Sequence, residues 1–239
     1  MLGLPKILPK GDGASRVIVI RMSNSPFRPD SPVMRALGRI GDLALINILF
    51  LVCSIPIVTL GASAAALYTV GFQMVRGEEK QIAKTFFSAF GRNFWQATLL
   101  TILFLLLGAG LLLDLRVMQA NPGAFPLVLW VGAGLIALFG AITLPYTFAL
   151  QARFDNTVWR TLKNAFVLAV THPLTSLIAA FLSLLPLGLL LFATYYLLLS
   201  SVYWFLFGFS LATVANCWLF ARILKQWVPA APSPPAEVS

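Results

Sequence analysis

Few side chains in this sequence are of a kind that does covalent chemistry, and those few do not gather. His172 is the single histidine. It precedes Pro173 at the start of an apolar run, so it reads as an interface residue and not as a general base. The two cysteines, Cys53 and Cys217, lie in separate apolar stretches. Free cysteine packs like a small hydrophobe, and neither thiol has the neighbours a metal centre needs. HExxH, GxSxG and Walker A patterns do not occur. The sequence therefore predicts no catalytic, cofactor-binding or metal-binding residue, and no enzyme.

The polar side chains inside the apolar stretches are neutral: Asn47, Thr59, Gln96, Thr98, Thr143, Thr147, Ser183, Tyr195, Tyr196 and Asn216. Such groups suit two tasks. They hydrogen-bond one helix to another, or they line a path for a neutral solute such as a sugar. Asp, Glu, Lys and Arg are absent from 43–75, 93–113, 117–152 and 164–221. These stretches thus offer no acid or base for ion coupling.

Three short segments carry the remaining signals. "SIPIVTLG" (54–61) breaks the first apolar run. Pro56 biases Ile55 away from helix, and Gly61 has no Cβ to obstruct a turn or a close contact. Pro56, Thr59 and Gly61 are the candidate hairpin tip or packing element. In "ARFDN" (152–156), Arg153 and Asp155 are predicted to pair across a turn. Asp155 or Asn156 is predicted to cap the next helix. "KTFFSAF" (84–90) and "RTLKNAF" (160–166) resemble each other at an offset of 76 positions. Apolar residues recur every fourth position (Ile82, Phe86, Phe90, Phe94; Val158, Leu162, Phe166, Val170). Lys84, Arg92, Arg160 and Lys163 fall on other faces. The pattern predicts two amphipathic helices along the cytoplasmic interface. Their four cations anchor to lipid or dock a partner.

These groups must be positioned by membrane helices. Of the 239 residues, 59% are hydrophobic and 10% charged, against about 25% charged in soluble domains. Clear spans cover about 94–115, 126–150, 174–197 and 201–221, with Pro145 and Pro186 inside them. Trp95, Trp130, Trp204, Trp218 and Trp227 fall near predicted interfaces, as in an aromatic belt.

Whether 42–75 crosses once or twice is decided by the cations. With one crossing the 17 Lys and Arg split eight against nine. With two, they split sixteen against one, only Arg116 lying opposite. The expectation is an all-α bundle of about six membrane helices, the first two a short hairpin, with both termini cytoplasmic. Five spans is the alternative. Each leg of the hairpin has about 16 residues, roughly 25 Å, so a hairpin that does not fully cross stays open. The net charge of +9 is explained by orientation in the membrane and does not call for nucleic acid.

Several of these elements together resemble the YesL-like family of bacterial membrane proteins, a domain of unknown function. They are "DSPVMRALGRIGDLALIN" (30–47), "CSIPIVTLGASAAALY" (53–68), "RGEE" (76–79), "FFSAFGRNFWQAT" (86–98), "RFDN" (153–156) and "TLKNAF" (161–166). The resemblance places a YesL-like membrane domain at 30–222. A flexible extension (1–29) precedes it and a disordered Pro- and Ala-rich tail (223–239) follows. "MSNSPFRPDSP" looks like a natural start, so translation is expected to begin at Met22. The resemblance implies a bacterial cytoplasmic-membrane protein associated with carbohydrate ABC importers and oligosaccharide uptake. Because nothing in the sequence resembles the cytoplasmic coupling-loop pattern of a permease, the expectation is an accessory subunit or assembly factor, with lipid, permease, ATPase and oligosaccharide as partners. An independent transporter or channel for a small neutral solute is the alternative.

Overall fold

The computed structural model describes residues 32–78, 81–121, 127–192 and 194–224. The predicted start at Met22, Glu79 of "RGEE", Trp227 and most of the tail lie outside them. All regular structure among the described residues is helical. The chain divides between Asp42 and Leu43 into two units. In the first, the described residues are the opening turns of α1 (Pro32–Cys53). All packing below is within the second.

The break after α1 follows from its residues. Pro56 has no N–H to continue a helix, and a single 3₁₀ turn spans Ile57–Thr59. The Thr59 hydroxyl donates to the Cys53 carbonyl at 2.6 Å and lies 2.7 Å from that of Pro56. It thereby satisfies a carbonyl that the end of α1 leaves free. Helix α2 (Leu60–Arg76) returns and stops at Gly77, whose φ of 69° needs a residue without a Cβ. Helix α3 (Ile82–Ala120) has 39 residues, about 58 Å at 1.5 Å per residue. Helix α4 (Leu127–Arg153) contains Pro145.

The cap of α5 (Val158–Thr171) is Thr157, whose hydroxyl accepts from the Arg160 amide at 3.5 Å. This corrects the expectation for Asp155 or Asn156, because it is Thr157 that takes the extended backbone before the first turn. At His172 the chain bends by 114° into α6 (Pro173–Phe192). Proline disfavours helical geometry in the residue before it, and His172 accordingly leaves the helical region (φ −126°, ψ 64°). Helix α7 (Thr194–Leu199) and a short turn lead to a π-helical stretch, Trp204–Gly208, and then α8 (Phe209–Leu224).

Among the described residues, five helices are long and apolar enough to cross a membrane, and six if the bent pair α5–α6 counts as one span. The protein is a multi-pass membrane helix bundle. Its centre is α2, whose most apolar window is 56% buried against 11% for α3 and for α4. Exposed leucines such as Leu106, Leu112 and Leu113 on α3 give those helices the apolar surface that lipid requires. The core joins Tyr68 and Phe72 of α2, Tyr146 and Phe148 of α4, and Phe220 of α8. The Tyr146 and Phe220 rings lie 4.3 Å apart.

The first of the two amphipathic segments differs from expectation. It is no separate interface helix, since 82–93 forms the opening turns of α3 and runs unbroken into the span. Its apolar stripe faces protein: Phe86 is fully buried and Ile82 nearly so, against Ile46, Phe50 and Val70. The second segment is a helix of its own, α5, and buries Thr161, Ala165, Leu168 and Ala169. Trp204 also departs from the belt, being buried against Phe209.

Candidate functional site

The hairpin tip is a packing element first. Gly61 lies one residue inside α2, past the turn itself. A Cβ there would overlap the Thr101 hydroxyl, the Ala97 carbonyl at 2.5 Å and the Phe148 ring at 2.7 Å. The residues after it keep the approach close: Ala62, Ser63, Ala65 and Ala66 are all fully buried. "GASAAA" is thus the face by which α2 meets α3 and α4. Since Gly61 packs at Ala97–Thr101, α3 continues past this contact for the 19 residues after Thr101, ending at Ala120, about 28 Å.

Among the described residues, three hydrogen-bonded groups centred on carboxamides stitch the interior. Asn47 of α1 meets the π-helical stretch: its amide donates to the Trp204 carbonyl at 3.0 Å and the Phe205 carbonyl at 2.6 Å. Its Oδ1 accepts from the Ser210 amide at 2.9 Å. A π turn leaves backbone groups out of the ordinary ladder, and Asn47 takes them up. In the second group, Asn216 of α8 donates to Ser183 of α6 at 2.9 Å and Tyr68 of α2 at 3.3 Å. Its own Oδ1 has no partner.

The third group joins α3, α4 and α5. Gln151 donates to Gln96 Oε1 at 2.6 Å and lies 3.4 Å from Asn93 Oδ1. Thr161 donates to Gln151 Oε1 at 3.4 Å. Asn93, Gln151 and Thr161 are buried. Gln96, Ser183, Asn47 and Asn216 were named by the sequence reading as helix-to-helix groups. Gln151, Asn93 and Tyr68 were not. The signal for Asn93 was its i, i+3 spacing to Gln96, which sets both on one helix face.

The predicted charged residues do not form one surface. Arg153 does not pair with Asp155; its guanidinium lies 5.5 Å from the Phe72 ring centroid, and Asp155 is exposed. Burial of the arginine stem against an aromatic face wins over an ion pair in water, which is worth little. Lys84 and Arg92 line a polar cleft between α2 and α3. Lys163 lines an apolar groove with Leu103, Phe139 and Trp159. Arg160 is exposed on α5. No group of three or more His, Cys, Asp or Glu able to hold a metal occurs among the described residues.

A comparison with known families bears on the stretch from Leu43 through most of α3. Residues 43–115 match the family model described as "Protein of unknown function, DUF624". These residues are a DUF624 domain, the domain of YesL-like proteins. No curated protein and no solved structure matches the chain. The DUF624 stretch holds Pro56, Thr59 and Gly61, the Lys84–Arg92 cleft, and two members of the carboxamide group, Asn93 and Gln96. Their partners Gln151 and Thr161 lie beyond it. So do Arg153, Asp155, Arg160 and Lys163.

Proposed function

We propose that the protein is an accessory membrane subunit or assembly factor of a bacterial carbohydrate ABC importer. It would reside in the cytoplasmic membrane with both termini inside. The importer association comes from the YesL-like resemblance. The choice of accessory over carrier rests on one observation. The buried Asn47 and Gln151 direct their hydrogen bonds to neighbouring helices or to backbone. Groups so engaged hold helices together; a sugar path needs donors and acceptors left for the solute. The long apolar faces of α3 and α4 suit contact with a permease as well as with lipid, and Arg160, exposed on α5, is assigned to the ATPase contact.

Purification from the native host in mild detergent, with mass spectrometry of what accompanies it, tests this reading. Permease and ATPase subunits are expected in the eluate. Deletion of the gene should slow oligosaccharide uptake; unchanged uptake, or sugar transport by the purified protein alone in liposomes, would sink the proposal.

A further inference from the structure

We propose that the cleft between α2 and the opening turns of α3 is a binding site for a phosphate group. The cleft encloses about 530 Å³. On one wall Lys84, Ser88 and Arg92 follow one another at four-residue spacing, so one face of α3 presents them in line. Thr85 lies beside them, and Thr69 and Gln73 of α2 form the opposite wall. Among the described residues, no carboxylate lines it. The side chains of Gln73, Lys84, Ser88 and Arg92 have no hydrogen bond or ion pair among the described residues. Two cations, an amide and a hydroxyl therefore face one space with their donors unused.

Phosphate is the chemistry that matches this set. Arginine forks onto two phosphate oxygens, lysine adds a point charge, and hydroxyl and amide donors complete the shell. An acidic protein segment would also seek the two cations. The lining favours the smaller ligand: four donors converge on one space of about 530 Å³, and a head group fits within a pocket of several hundred Å³. The apolar groove by α5 makes a contrast, since among the described residues Lys163 is its one charged lining residue. Basic pockets between membrane helices take up anionic lipid head groups, and a soluble phosphate ester carries the same group. This inference does not rest on the importer reading, and stands or falls separately.

The test uses the full chain purified in maltoside micelles, with melting followed by intrinsic fluorescence. Inorganic phosphate and phosphatidylglycerol are titrated separately, with diacylglycerol as the neutral control. A saturable rise in Tm is expected. Phosphate sufficing alone identifies a soluble ester as the source; a rise only with phosphatidylglycerol identifies lipid. The double variant Lys84→Gln/Arg92→Gln should weaken the response about tenfold or more, while Lys163→Gln keeps it. Both altered side chains are exposed, and circular dichroism checks the fold. Three results overturn the proposal: no shift with either probe, a shift that survives the double variant or is equally lost in Lys163→Gln, and a cleft-dependent response to polyglutamate stronger than to both phosphate probes.

Discussion

Gly61 shows what a missing side chain does. Two of the three atoms a Cβ would meet belong to α3, and one of those is a backbone carbonyl, which cannot turn aside. Gly61→Ala should cost about 1–3 kcal/mol by overpacking and lower the melting temperature of the detergent-solubilised protein. Gly91, with nothing within 4 Å of a built Cβ, is the matching control: Gly91→Ala should be neutral or stabilising by about 0.5–1 kcal/mol. Equal effects at the two positions would show that the α2–α3 approach is looser than described. Gln151 makes the opposite case, a side chain whose removal leaves others stranded. Gln151→Leu strips Gln96 Oε1 and Thr161 of partners, at a cost of about 0.6–2 kcal/mol on the scale of interhelical hydrogen bonds in membranes. The Gln96→Leu/Gln151→Leu pair should recover part of that loss, and a strictly additive double-mutant cycle would deny the contact.

Among the elements, α8 with its π-helical entry and the bent pair α5–α6 carry the clearest consequences. Asn47→Ala removes the amide that holds the Trp204 and Phe205 carbonyls. Hydrogen exchange at 204–210 should quicken in this variant while that of α4 is unchanged. Uniform protection across both would mean that the π stretch is held by its own backbone. Element boundaries were legible where a residue type forces them: Pro56 at the tip and Pro173 at the start of α6. The continuity of α3 was not. Phe86 and Phe90 form an amphipathic stripe whether their partner is lipid or protein, and the buried Asn93 looks polar enough to end a span. In a membrane protein the stripe marks the packed face, and hydropathy alone does not say against what. Gln151 was hidden for a related reason. It stands two residues before Arg153, where a polar residue passes for the end of a span.

For the whole molecule, the spans were readable because charge is so sharply excluded from them. The distribution of cations also supplies a prediction of sidedness. In a background with Cys53 and Cys217 replaced, Thr59→Cys and Arg116→Cys should react with an impermeant maleimide added outside intact cells. Asp155→Cys should react only after the membrane is opened. Labelling of Thr59→Cys from the cytoplasm alone would reverse the hairpin. Interior contacts between distant parts of the chain were the least legible feature, because neutral carboxamides in lipid choose partners by geometry that no local pattern records.

The carboxamide group also constrains the order in which the protein can be made. Asn93 and Gln96 enter the bilayer on α3, and Gln151 follows more than fifty residues later. Until α4 is in place, the Oδ1 of Asn93 and the Oε1 of Gln96 lack the Gln151 donor they later share, and only the Asn93 amide has a bond inside α3, to the Ala89 carbonyl. Nascent chains halted after Ala120 should therefore stay bound to the insertion machinery or be degraded. Those carrying the sequence through Thr171 should release, and crosslinking of staged chains would separate the two.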